Sequence, residues 1–366
     1  MSGSAFTTVS AAEVLDLLDS AEPPVLVDVR EVDEVADWSI PGSLNVPLGE
    51  LASRREEIPA DARVILVCAR GSRAERAAEI LAQVGRTSEV LAGGMAAWAS
   101  AYDYVTVDVA GATVVQLRRR GKGCLSYVVG AGSRCVVIDP SLDVERYQHV
   151  ADQWGWRVSY VVDTHLHADH ISGARRLVEL TGAQLWLSPA DPFSFGYRTL
   201  EDGMSFPLSD QVELEVSAVS VPGHTEGSTM YRLGDAAVFS GDTLFLESVG
   251  RPDLAEQAEA FAHALFRSLH ERILPLPDET LVLPAHYGPG VEVHAGAVVS
   301  APLGSLRHTL PALRLGENEF VEWALAHVKD RPPNYQRIVR VNAGLEELSD
   351  EVVELELGPN RCAVSS

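Results

Sequence analysis

The 366 residues carry 52 acidic against 29 basic side chains, a formal net charge of −23, with 46% hydrophobic and 22% charged residues. The only lysines are Lys122 and Lys329, so no basic patch forms, nucleic acid and anionic membrane are not expected partners, and a small anion must be met by local arginines or helix amides. Residues 1–24 show no basic start with an apolar run, and nothing approaches the roughly 18 apolar residues of a membrane span, so a soluble cytoplasmic protein is expected, long enough for two domains.

In chain order, Ser10-Ala11-Ala12-Glu13 is a capping box that opens a short helix through Leu18. Val25 to Arg30 and Arg63 to Val67 are the apolar runs of buried parallel strands, the second ending on Cys68. Cys68-Ala69-Arg70-Gly71-Ser72-Arg73 then leads into a helix over 74–84, with Ala77, Ile80, Leu81 and Val84 on one face and Ser72 with Glu75 as a second capping box. A strand, a tight loop and a helix N-terminus make an anion cradle, because backbone amides and the helix dipole converge above the loop. At an ordinary pKa near 8.5 only about 3% of a thiol is ionised at neutral pH, and a depression of about two units makes it mostly thiolate, so the cradle suits a nucleophilic sulfur.

This segment resembles a rhodanese domain. The matching stretches are Asp28-Val29-Arg30, the turn from Ile40 to Pro47, the six-residue loop from Cys68 to Arg73, and Leu91-Ala92-Gly93-Gly94-Met95-Ala96-Ala97-Trp98. They cover nearly all of residues 6–102; Trp38-Ser39 departs from the family's usual Gly-His. The resemblance implies an α/β sulfurtransferase domain over 1–104, with Cys68 carrying the sulfane sulfur and Arg73 assisting. Arg70, Gly71, Ser72 and the loop amides would hold thiosulfate or sulfite. A docking or sensor module is the alternative.

Residues 99–104 read as a short linker. Strands follow at 113–117, 125–129 and 135–138, with a turn at 130–132 and Asp139-Pro140 as a stop. A helix over 142–153 precedes the strand 156–162, and a further helix is expected over 173–181. Further strands fall at 185–187, 212–221, 230–233, 236–239 and 281–283. Late in the chain come a helix over 318–328, the Pro332-Pro333 break and a tail ending Asn360-Arg361-Cys362-Ala363. No third core is visible there, and the segment is long enough to cover one sandwich edge or to mediate a homodimer contact. The four cysteines, Cys68, Cys124, Cys135 and Cys362, are widely spaced without a CxxC pair and read as buried free thiols.

The strand 156–162 delivers His165, His167, Asp169 and His170, three imidazoles and a carboxylate within six residues. His224, Asp242 and His286 also follow apolar runs, so the ligand types recur in strand-end loops, and imidazole with carboxylate suits divalent metal ions. The order HxHxDH, His, Asp, His is similar to that of the metallo-β-lactamase superfamily. That resemblance implies an αββα sandwich over 105–366, C-terminal extension included.

The ligand set leaves two chemistries open. Two zinc ions would make a thioester hydrolase of the glyoxalase II type, whereas one iron held by two His and a carboxylate keeps open positions, as in non-haem oxygenases. Val249-Gly250-Arg251-Pro252-Asp253-Leu254 and the Asn360 to Ala363 tail resemble persulfide dioxygenases. Carried over, the resemblance implies one Fe(II) on His165, His224 and Asp242, with His167, Asp169, His170 and His286 around it or holding a second metal. It also implies Arg251 as an aid to the substrate anion or a partner of Asp253, and oxidation of a low-molecular-weight persulfide, such as glutathione persulfide, by O2 to sulfite. A persulfide-forming domain joined to a persulfide-oxidising one describes one sulfur pathway.

Overall fold

We describe the fold from a computed structural model covering residues 6–209, 215–253, 257–288, 290–328, 331, 334–349, 354–358 and 362–364. Residues 212–214 of the expected strand, Leu254, Lys329, Pro332-Pro333 and Asn360-Arg361 lie outside the described residues. The chain divides into two compact units, one from residues 1–103, 119–123 and 357–359, the other from 104–118, 124–356 and 360–366.

In the first unit, β1 (Thr7–Val9), β2 (Val25–Asp28), β3 (Leu44–Asn45), β4 (Val64–Val67) and β5 (Glu89–Leu91) form a parallel sheet in the order β1-β5-β4-β2-β3. The period of two in strands sends Val27, Val64 and Leu66 to one face and Leu26, Ile65 and Val67 to the other. The first face is covered by α4 (Ser72–Gln83) through Ala74, Ala77, Ala78 and Leu81, and by α3 (Leu51–Arg54). The second is covered by α1 (Ala11–Leu18) through Val14 and Leu15, and by α5 (Gly94–Trp98) through Met95 and Trp98. A further helix, α2 (Val32–Asp37), follows β2. Ser10 caps α1 with Glu13 reciprocating, as its sequence demands. Ser72 does not cap α4: Gly71 does, at φ +109, and Ser72 is the first helical residue. A left-handed turn is open to glycine without a Cβ penalty, so the chain reverses at Gly71 and the helix starts at Ser72, two residues before the expected 74.

The second unit is the expected αββα sandwich. Seven strands run in the order β12-β11-β10-β9-β8-β7-β6. They are β6 (Tyr102–Val109), β7 (Ala112–Arg119), β8 (Cys124–Ala131), β9 (Arg134–Ile138), β10 (Arg157–Val162), β11 (Gln184–Leu187) and β12 (Arg198–Thr199). The stretch read as a linker is therefore part strand: β6 starts at Tyr102, and its alternation of polar and apolar residues continues to Val109. The second sheet contains β13 (Ser205–Pro207), β14 (Glu215–Ser220), β15 (Thr229–Leu233), β16 (Ala237–Gly241), β17 (Leu281–Pro284) and β18 (Ala301–Pro302), in that order. Between the sheets lies an apolar core of Leu125, Tyr127, Val136, Ile138 and Val162 against Phe206, Ala218, Tyr231 and Phe239.

Outside the seven-stranded sheet pack α6 (Glu145–Trp154) and α7 (Ala174–Thr181), through Tyr147, Val150 and Leu177. Outside the other pack α8 (Ala258–Arg267), continued by a π-helical turn over Ser268–Ile273, α9 (Leu303–Thr309) and α10 (Glu317–Ala326). Leu306, Phe320 and Ala324 join that layer, so the C-terminal extension completes an existing core. The last α-helix among the described residues, α11 (Tyr335–Asn342), packs Ile338 and Val341 on Ile171, next to the metal-type loop. Cys135 pairs across β8 with Gly130, not with Cys124, and all four cysteines are buried and free. Among the described residues no helix is long and apolar enough to cross a membrane.

Candidate metal centre and thiol loop

The polar side chains of the second unit converge where strands end. His165 follows β10, His224 follows β14, Asp242 is the residue after β16, and His286 comes just past β17. His165 Nε2 lies 3.6 Å and His224 Nε2 3.5 Å from Asp242 Oδ2. All three atoms are buried and, among the described residues, have no hydrogen-bond partner. The opposite ring atoms explain why. Thr164 Oγ1 donates to Asp139 Oδ2 at 2.9 Å, which leaves its oxygen to accept from His165 Nδ1, also at 2.9 Å. His224 Nδ1 donates to the Arg251 carbonyl at 2.9 Å. Both protons are thus fixed on Nδ1, and two imidazole lone pairs and one carboxylate oxygen face a common point. Burial pushes the pKa of His165 and His224 below the ordinary imidazole value, favouring the neutral ligand form. Burial would raise the Asp242 carboxyl, but His286, His165 and His224 hold it well below the usual range. An unpaired buried polar atom costs about 1–3 kcal/mol, so three together fit a bound cation. The donor set, two nitrogens and one oxygen, suits a borderline divalent metal.

Asp169, His170 and His286 form a second, adjoining cluster. His286 Nδ1 sits 2.6 Å from Asp242 Oδ1, and its Nε2 is 2.9 Å from Asp169 Oδ2. His170 Nδ1 lies 3.1 Å from Asp169 Oδ1. Ligand atoms of Asp169, His170, His286 and Cys124 all fall within 4.8 Å of one another, as do those of Asp242, His286 and Cys362. Both cysteines were invisible as site residues in the sequence, because each stands alone in its stretch. His167 joins neither group: its Nε2 approaches Asp139 Oδ1 at 3.1 Å, with Asp163 Oδ1 at 4.0 Å, while its buried Nδ1 has no partner. Burial opposes its charge, but Asp139 and Asp163 outweigh burial and raise its pKa to about 9.

Residues outside the motif hold the loops. Asp139 sits at φ +52, an uncommon backbone for a non-glycine, and from there its carboxylate takes the Thr164 N–H at 2.6 Å. Asn342, at the end of α11, donates to the carbonyls of His167 and His170 at 2.9 and 2.8 Å and accepts from Ser172 N–H at 2.9 Å. Arg251 is 1% exposed and grips Asp253 with two contacts, Nε–Oδ1 at 2.7 Å and Nη2–Oδ2 at 2.9 Å, while its N–H donates to the Cys362 carbonyl. Its side chain is thus engaged with Asp253, and its backbone carbonyl orients His224.

The first unit presents its loop at the end of β4. Cys68 is 1% exposed, and Gly71 N–H donates to its sulfur at 3.1 Å. The loop is clamped from behind: Met95 and Ala96 N–H donate to the carbonyls of Cys68 and Ala69 at 2.8 and 3.1 Å. Gly94 makes that approach possible, since a Cβ there would lie 2.1 Å from the Cys68 carbonyl oxygen. Arg70 and Ser72 are exposed beside the loop. Arg73 turns aside to Glu34, each Nη 2.7 Å from a carboxylate oxygen. This partner on α2 was not expected from the sequence.

Comparison with known proteins places both halves of the chain in known families. Residues 119–286 match the metallo-beta-lactamase superfamily, and residues 10–101 match the rhodanese-like domain. The mitochondrial persulfide dioxygenase ETHE1 of Bos taurus is 33% identical over 207 residues, covering 55% of this chain and 76% of that protein. The Homo sapiens protein of the same name is 34% identical over 202 residues, covering 54% and 74%. The crystal structure of ETHE1 from Myxococcus xanthus aligns with TM-score 0.56 at 28% identity, over 63% of this chain and 98% of that one. The chain therefore belongs to the persulfide dioxygenase-like branch of the metallo-beta-lactamase superfamily and carries a rhodanese-like domain in addition.

Proposed function

We propose that the second unit is a non-haem iron dioxygenase, with one Fe(II) per chain, that oxidises a low-molecular-weight persulfide such as glutathione persulfide to sulfite and thiol. The observation that carries this reading is the trio of partnerless, buried donor atoms on His165, His224 and Asp242. A ferrous ion, if held by the two imidazoles and the carboxylate, would supply open coordination positions for oxygen chemistry. The chain's own part is to keep both imidazoles neutral and correctly turned, through Thr164 and the Arg251 carbonyl, and to exclude bulk water by burial.

In the first unit, Cys68 acts as the sulfur carrier between thiosulfate and a thiol or sulfite. The thiolate attacks the outer sulfur of thiosulfate, a sulfur–sulfur bond forms on Cys68, and the bond to the sulfonate sulfur breaks, with sulfite leaving on the electron pair. The reverse step hands the sulfur to sulfite or a thiol. Arg70 and the amides of the loop meet the anion. This activity and the oxygenase would handle the same sulfur atoms in sequence.

A second reading has its own support. Asp169, His170, His286 and Cys124 offer four buried donors within 4.8 Å, enough for a second metal, and a dizinc pair would suit thioester hydrolysis, with the rhodanese-like domain as a docking or sensor module. Elemental analysis of the purified chain separates the two, combined with oxygen uptake on glutathione persulfide and hydrolysis of a glutathione thioester. One iron per chain with oxygen uptake is expected. Two zinc ions with thioester hydrolysis and no uptake would overturn the proposal.

A further inference from the structure

We infer that Asp191 is a positioning residue of the metal centre: one carboxylate, outside the ligand motif, ties the loop carrying His165 to the loop carrying His224. The inference rests on the reading that His165, His224 and Asp242 hold the metal.

Asp191 lies just past β11 and is 5% exposed. Its Oδ2 accepts from the Leu166 N–H at 2.9 Å, the residue after His165, and from Thr225 Oγ1 at 3.3 Å, the residue after His224. Its Oδ1 accepts from the Gly227 N–H at 3.1 Å. Thr225 is held in turn by Ser228, whose Oγ accepts from the Thr225 N–H at 2.9 Å. The approach is tight enough to require glycine, since a Cβ on residue 227 would stand 2.4 Å from the Asp191 carboxyl carbon.

Two features separate this group from ordinary packing. First, among the described residues the carboxylate has no ion-pair partner, and the Glu226 carboxylate repels it. A buried, unpaired carboxylate is costly, and here only three donors offset that cost. Second, every one of those donors belongs to a loop bearing a metal-type histidine, and none belongs to the element that carries Asp191. Only an ionised carboxylate accepts on both oxygens, so three converging donors select Asp over Asn. A tether of this kind fixes the distance between the two imidazoles, which metal affinity depends on.

The test uses the full chain and its isosteric variant Asp191→Asn, whose amide nitrogen must face a backbone N–H. Affinity for Co(II) is measured by chelator competition, the visible spectrum of the Co(II) protein is recorded, and the metal-free Tm is taken. The expected result is an affinity about 10–100-fold weaker and a displaced ligand-field band, with the metal-free Tm near that of the parent. Parental affinity with an unchanged spectrum overturns the inference, whatever happens to the Tm. Should Asp191→Asn fold poorly, Thr225→Val decides, because it cuts a tether to the His224 loop and leaves the carboxylate in place. Weaker Co(II) binding by that variant supports the role, and parental binding refutes it. A parent chain that takes up no Co(II), or a His224→Ala variant that still does, would instead remove the metal reading on which the inference stands.

Discussion

The two sites of this chain are built in opposite ways. The thiol loop is contiguous, runs straight from β4 into α4, and is held inside its own unit, the Cys68 and Ala69 carbonyls by Met95 and Ala96 N–H and the Cys68 sulfur by Gly71 N–H. The metal centre draws its groups from four strand ends between His165 and His286, and it leaves donor atoms on His165, His224, Asp242 and His167 without partners. A local loop can be complete by itself, whereas a site gathered from distant strands is held by long-range polar tethers and is completed by what it binds.

The sharpest way to break that comparison is to disable each site alone. His224→Ala removes one of three donors and leaves the Arg251 carbonyl without its imidazole, so metal content and persulfide-dependent oxygen uptake should fall to background while thiosulfate sulfurtransferase activity persists. Cys68→Ser should do the reverse, since a hydroxyl at that place is a far weaker nucleophile. Both assays on both variants check the pair. Loss of both activities in either variant would mean that the sites are obligatorily coupled.

Next in size is metal removal. A ligand at about 1,000 times its Kd contributes roughly 4 kcal/mol to the folded state. Stripping the metal with a chelator should therefore lower the calorimetric transition of the second unit by several degrees and leave that of the first unit in place. Equal shifts in both transitions would contradict the view that only one site depends on its ligand.

How far these sites were legible in the sequence follows from the same contrast. The parallel strands, the Cys68 loop and the HxHxDH run could be read because each is a short pattern of residue types after an apolar run. The tethers could not. Asp139, Asp191 and Asn342 are single polar residues whose partners lie 25 to 175 positions away in the chain. An aspartate after a strand is too common to signal anything, and a residue before proline is expected to be extended, so the φ of +52 at Asp139 could not be read ahead of the structure. Ser72 misled because Ser-x-x-Glu satisfies the capping pattern, while Gly71 takes the turn that no other residue enters as easily. Tyr102 to Val109 has a strand's alternation, but its exposed face gives it the polarity of a linker.

Gly94→Ala should have a smaller effect than metal loss, confined to the first unit. The added methyl meets the Cys68 carbonyl, a backbone atom that cannot swing away, and residue 94 already sits at φ +60. A loss on the order of 2–3 kcal/mol is expected, read as a lower Tm for the first unit and slower sulfur transfer. Oxygen uptake should not change. A variant with parental sulfurtransferase activity would show that α5 does not shape the thiol loop.

The smallest effect concerns Glu34, the side chain that holds Arg73 beside the cradle. Its hydrogen bonds from Arg73 outweigh partial burial and lower its pKa from an ordinary 4.5 to about 2. A carboxyl depressed in the folded state stabilises the fold fully above its unfolded pKa, and that contribution disappears as pH falls through the folded value. Each partner is about one-third exposed, so the contribution is modest and salt-sensitive. The Tm difference between the parent and Glu34→Gln should thus be greatest above pH about 4.5 and shrink as pH falls from there through about 2, where the folded carboxylate takes up its proton. The same variant releases Arg73 toward Cys68, so its KM for thiosulfate, a dianion, should fall with little change in kcat. A Tm difference that grows on acidification would show that Glu34 is not ionised against Arg73. An unaltered KM would show that the arginine does not reach the anion even when it is let go.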